Sequence, residues 1–268
     1  KHKKLYLGIP AFCFVIGTIA FLIGKDFFWS LLAYIAVFHF IRQQYGFMRL
    51  YARNEIKTKF TVIFDKIVIY NATVYPMLFW FLSPDRNFNW FVQNEFIQAS
   101  QPQILSYLNV VYFIIFGCYI AQQLYKFIKT KSINEPKTLL ILGTYISWYL
   151  SIVYYNNELI FTAFNVISHG IPYMALVYFR EVENAPIKKF SFKFQNLVGK
   201  AIGFILILLL LAVAEEFIWE ITVWEEHIQL NQSFYIPDFW QFLWVPLLAL
   251  PQFTHYFLDG FIWKNKGS

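Results

Sequence analysis

Residues 201–224 read AIGFILILLLLAVAEEFIWEITVW. From Ala201 to Ala214 no side chain carries a charge or a hydrogen-bonding group. A helix of this composition has no polar face to turn to water while another face packs on a core. At 1.5 Å per residue it is about 36 Å long, enough to cross the hydrocarbon of a bilayer. Its natural solvent is lipid, and that decides the fold class.

Working outward, seven further segments are long and apolar enough to span. The set is 5–24, 27–50, 60–82, 104–125, 138–156, 158–179, 201–224 and 239–263. Only helices and closed barrels satisfy their backbone in lipid, and runs of this length are helices. The expectation is an all-α integral membrane bundle of about eight transmembrane helices, forming one domain over 1–268. The composition agrees: 58% of residues are hydrophobic and 14% charged, against about a quarter charged in soluble domains. The run after Lys1–Lys4 lacks a small-x-small cleavage pattern and reads as a first span, not a signal peptide. Cys13 and Cys118 both lie in apolar runs and read as small buried hydrophobes, not a disulfide framework.

The net charge of +6 is placed unevenly. In an eight-span chain, every basic residue except Lys25, Lys66 and Arg86 falls on one side. The opposite side is acidic, with Asp26, Asp85, Glu95, Glu158, Glu225, Glu226 and Asp238. The positive-inside rule then places both termini in the cytoplasm, as in a bacterial inner (plasma) membrane. Because the lysines sit in short loops between apolar runs, the expected partners are membrane lipids and not nucleic acid. The strip IKKFSFKFQNLVGK, 187–200, reads as a basic-aromatic surface against anionic lipid. NFNWFVQNEFIQ, 87–98, reads as an interfacial segment on the outer side.

Ionisable residues inside spans are expensive and point to function. Three of the five histidines lie in spans: His39 in VFHFIRQQYGF, His169 in FNVISHGIPYM and His255 in FTHYFLDGF. By the derived topology all three fall between mid-membrane and the cytoplasmic side, and Asp65 reaches a similar level from the opposite direction. Each histidine has a polar residue one turn away, namely Gln43, Asn165 and Asp259, so three helices each carry a polar stripe. Such stripes should face one another and not lipid.

Three imidazoles and a carboxylate suit a divalent metal, with iron favoured and zinc possible. His39, His169, His255 and Asp259 are the candidate ligands, and Asp259 and Asp65 the candidate bases. Gln43, Asn165, Tyr45 and Tyr173 are candidates for fixing the histidine ring nitrogens. Gly170 and Pro172 would open the helix beside His169, provided neighbours satisfy the freed backbone. The plainer readings are interhelical hydrogen bonding by the histidines, an Asp65–Lys66 ion pair, and snorkelling of Arg42, Arg49 and Lys264.

Two short strings resemble known families. AEEFIWE, with Glu215, Glu216 and Glu220, resembles part of the intramembrane CAAX-protease pattern, with Glu220 standing where that pattern has arginine. FHFIRQQYGF, NVISHGIPY and PQFTHYFLDG together resemble the order of histidine strings in Brp/Blh-type membrane carotenoid oxygenases. That likeness implies an iron-dependent oxygenase acting on an isoprenoid, with His39, His169, His255 and Asp259 at the matching positions. The first-span histidine of that family has no counterpart in LGIPAFCFVIG. HYxLDGxIW also looks like the end of uncharacterised bacterial multi-pass membrane proteins. The expected function is therefore a metal-dependent membrane enzyme acting on a hydrophobic, lipid-like or isoprenoid-like molecule. The alternatives are a proton- or ion-coupled transporter using the same His and Asp residues, a haem or quinone electron-transfer protein, and an intramembrane glutamate protease.

Overall fold

The computed structural model describes residues 3–56, 58–83, 90–179, 197–224 and 236–262, and among them all regular secondary structure is helical. Of the charges used for orientation, Lys1, Lys57, Asp85, Arg86, Arg180, Lys188, Lys189, Lys193, Glu225, Glu226, Lys264 and Lys266 lie outside the described residues. So do His2, His227, the NQS glycosylation sequon at Asn231 and most of the strip 187–200.

Among the described residues five helices are long and apolar enough to cross a membrane: Lys4–Ile23, Lys59–Leu82, Pro102–Thr130, Leu159–Val177 and Gly199–Trp224. They match five of the eight expected spans. The other three segments are helical but differ in kind. Helix α2, Lys25–Tyr51, is unbroken but carries Lys25, Asp26, Arg42 and Arg49. Helix α5, Glu135–Trp148, passes into a π-helical stretch, Tyr149–Tyr154. The last segment is divided into α9, Asp238–Leu248, and α10, Leu250–Ile262. Pro251 supplies the reason for that division, because it has no N–H for the carbonyl four residues back. That carbonyl, on Leu247, instead takes the amide of Ala249.

The helices cluster into two compact units, Lys1–Leu32 with Tyr173–Ser268, and Ala33–Pro172. In the first, α1 (Lys3–Ile23) packs on α9 and α10. Gly17 permits this, since a Cβ there would stand 3.3 Å from Pro246 Cβ. Trp29 lies against Trp219 and Trp224, with ring centroids at 5.9 and 5.4 Å. Trp219 closes α8, Leu197–Trp219, whose Ile205, Leu206, Ile207, Leu209, Leu210 and Leu211 are all more than half exposed. So much apolar surface is stable in hydrocarbon and costly in water, at roughly 25 cal/mol per Å².

The second unit is built around α3, Lys59–Leu82, against α4, Pro102–Thr130, and α5. A reciprocal Thr58–Thr61 capping box starts α3, and the Asn134 side chain caps α5. Val68, Ile69, Ala72, Tyr112, Tyr119, Ile141 and Tyr145 form the buried centre. Asn71 Nδ2 donates into it, to the Tyr112 carbonyl (3.1 Å) and the Tyr145 hydroxyl (2.8 Å). The NAT sequon at Asn71 is thus an internal hydrogen-bonding position and not a surface acceptor. Residues 90–101 follow α3 without a helix. The buried Glu95 carboxylate accepts the amides of Trp90, Phe91 and Val92, and Ile97 donates its amide to the Tyr34 hydroxyl. The expected interfacial segment is therefore pinned to its own unit.

Candidate metal centre

In the second unit, His39 projects from α2 and is buried. His169 lies in a π-helical turn, Val166–Gly170, between α6, Glu158–Asn165, and α7, Ile171–Val177. Single π-helical turns inside α-helices recur at functional sites. The two imidazoles meet edge to face, with centroids 5.3 Å apart, and Phe40 packs on His169 at 4.1 Å. Both candidate nitrogen donors of this unit therefore stand together, His39 buried and His169 half-buried against Phe40.

The turn has a local cause. In an α-helix the Ser168 carbonyl would accept the amide of residue 172, and Pro172 has none. Gln44 supplies the donor: its Nε2 reaches the Ser168 carbonyl at 2.9 Å, while its Oε1 accepts from Thr144 Oγ1 at 3.1 Å. Gln44 is 1% exposed. One side chain thus ties α2, α5 and the turn that carries His169. Spacing pointed to Gln43, whose Nε2 and Oε1 are buried without a hydrogen-bond partner. The signal for Gln44 was Pro172 itself, which requires an outside donor to Ser168 without saying which helix provides it.

The remaining candidates of this unit are dispersed. Asn165 and Ser168 line a small cavity walled by Phe40, Trp90, Trp148 and Phe161, of about 10 Å³, room for roughly one water. Tyr45 packs on Tyr70 (5.6 Å) and under the Arg42 guanidinium, which donates to the Tyr70 hydroxyl at 3.0 Å. Asp65 pairs with Lys137 at 2.9 Å and not with its neighbour Lys66, whose ammonium lies over the Tyr70 ring. Lys137, 2% exposed at its side chain, also meets Glu55 at 2.8 Å. This buried triad was not foreseen, because Lys137 reads in sequence as one more loop lysine.

In the first unit, α10 presents His255 and Asp259 one turn apart, with Nδ1 and Oδ1 at 3.7 Å. The Tyr173 hydroxyl donates to Asp259 Oδ1 at 3.0 Å, and its ring lies edge-on to His255 at 4.9 Å. Of the four residues expected to orient histidines, Tyr173 lies against His255 and bonds the neighbouring carboxylate. Glu215 and Glu216 are exposed on α8, and Glu220 is buried at the start of the π-helical turn Glu220–Trp224. Both cysteines are free, Cys13 buried and Cys118 exposed.

Comparison with protein-family models, curated proteins and solved structures gives no match for this chain. The functional reading therefore rests on the residues.

Proposed function

We propose that this is an integral membrane metalloenzyme acting on a lipid-like or isoprenoid-like substrate, with His39, His169 and His255 serving one divalent metal. The observation that carries the reading is the His39–His169 pair, edge to face at 5.3 Å beside a π-helical turn held open by Gln44. An intramembrane helix distorted to display an imidazole is costly unless the imidazole is used. The donor set fits such an ion: imidazole nitrogens with a neighbouring carboxylate are ordinary ligands of zinc and iron.

Iron, favoured by the resemblance to carotenoid oxygenases, would supply oxygen-dependent oxidation or cleavage, and zinc would supply an activated water. The chain's own residues do the rest. Asp259 stands as a fourth ligand or as the base that holds a proton beside His255. Tyr173 fixes that carboxylate, and Phe40 screens His169 from water. On this reading the chemistry lies near the cytoplasmic face of a bacterial inner membrane, the side that the positive-inside rule gives to the basic loops.

Elemental analysis and an absorption spectrum of purified protein test the reading. Near one equivalent of iron or zinc is expected, lost in each of His39→Ala, His169→Ala and His255→Ala. Metal-free protein whose three variants keep full activity would sink it, and a Soret band would move the assignment to haem.

One observation favours a proton- or ion-coupled transporter as the second reading. The buried Glu55–Lys137–Asp65 triad puts three ionisable groups in one place, as proton relays do. Proton-coupled flux in liposomes that disappears in Asp65→Asn and Asp259→Asn would establish it.

A further inference from the structure

We infer that the cavity beside His255 in the first unit seats one apolar chain that ends in an uncharged hydroxyl head. This rests on the lipid-substrate reading above and names the part of the molecule that would take the substrate. The cavity has a volume of about 470 Å³, within the roughly 300–1,000 Å³ range of small-molecule sites. Its wall is mixed. Leu247, Leu250, Thr254, His255, Leu258 and Asp259 all line it, following helical spacing along one face of α9 and α10. Pro10 of α1 adds to the apolar part of the wall. Tyr173, His255 and Asp259 make up its polar part, joined by the 3.0 Å hydroxyl–carboxylate bond and the 3.7 Å His255–Asp259 approach.

This lining selects a ligand class. Leucine and proline walls match an alkyl or isoprenoid chain and offer nothing to a sugar or a nucleotide. On the polar side, the Asp259 carboxyl accepts from the Tyr173 hydroxyl and has further acceptor sites. A carboxylate or phosphate head brings no hydrogen-bond donor to them. An ammonium head would have to shed its hydration shell beside an apolar wall. A hydroxyl donates to Asp259 and stays uncharged. Bound so, the first carbons of the chain lie next to His255, where the proposed metal chemistry takes place.

The test is photolabelling of the full chain in phosphatidylcholine nanodiscs with a diazirine-bearing long-chain alcohol, followed by peptide mapping. Label is expected on α10 and on α1 near Pro10. 1-Hexadecanol should reduce it, while hexadecane, hexadecanoate and hexadecylamine should not. Leu258→Trp, which fills the cavity, should cut labelling about five- to tenfold. Leu247→Trp, at the exposed margin, is the second variant should the first fail to fold. Both should retain wild-type metal content, whereas His39→Ala should lose metal and keep labelling.

Label spread along exposed α4 and α8, equal competition by hexadecane, better competition by the amine or the acid, or indifference to both tryptophans would each overturn the inference. Labelling as expected on metal-free wild-type protein would uphold the cavity and reject the metal reading. Bound metal without specific labelling would do the reverse.

Discussion

Gln44 Nε2 donates to the Ser168 carbonyl at 2.9 Å, the carbonyl that Pro172 leaves without its helical amide. This bond lets α6 and α7 part around His169 without an orphaned backbone group in an apolar interior. Gln44→Leu keeps the volume and removes the donor. Thr144 stays satisfied, since its hydroxyl also donates to the Leu140 carbonyl at 2.8 Å, so the loss is specific to Ser168. The expected cost is about 1–3 kcal/mol, read as a lowered thermal midpoint, with weaker metal binding. Gln44→Glu, which keeps the acceptor and not the donor, should rescue neither quantity.

Tyr173→Phe separates the hydroxyl from the ring. The ring still lies against His255, so packing is kept, but Asp259 loses its 3.0 Å donor. Partners that orient metal ligands typically change metal affinity or activity by about 10–100-fold. We expect a loss in that range in a metal titration, with folding stability lowered by only about 0.5–1.5 kcal/mol. Equal metal affinity in the variant and the wild type would remove Tyr173 from the site.

Glu95→Gln tests what fixes the non-helical segment after α3. The Glu95 carboxylate accepts three successive amides, two of them at 2.6 Å. An amide side chain has one acceptor oxygen, and its NH₂ would face N–H groups. Loss of these charge-assisted bonds should cost about 1.5–3 kcal/mol and open residues 90–101 to proteolysis, measured as an earlier cleavage in limited digestion.

The fold class was legible because 201–214 has no polar face, and the histidines stood out because imidazole is rare in such runs. Gly170 and Pro172 also announced an opened helix. The partners did not show. Gln43 and Gln44 are adjacent, and only the rotation of α2 decides which one meets Ser168. Lys137 begins an apolar run and resembles a headgroup lysine, yet it is buried between residues 72 and 82 positions away in the chain. Pairings of that range depend on which helices pack together, which local spacing does not encode. Tyr173 was accessible because it lies close in sequence to His169 and has a hydroxyl to place.

The Lys137 triad makes a prediction about acid. Removing the ammonium by Lys137→Met leaves Asp65 and Glu55 as buried or half-buried carboxylates without their cation, which should cost about 3–5 kcal/mol. The acid response is carried by Glu55, in the turn before α3. Burial pushes its carboxyl up, but the Lys137 ammonium at 2.8 Å more than offsets this, and the group is held below its ordinary value of 4.5. The unfolded chain therefore binds a proton on Glu55 at a higher pH than the folded chain does. Linkage then makes stability rise with pH across that window. The contribution is complete above the ordinary value and is lost as pH falls through the folded one. Glu55→Gln, which cannot ionise, should thus be less stable than wild type near neutral pH. The gap should close as the pH is lowered below the ordinary glutamate value of 4.5. Thermal midpoints of both proteins in one detergent, taken along a pH series, measure it. A gap of constant size across the series would mean that the Glu55 charge does not stabilise the fold through Lys137.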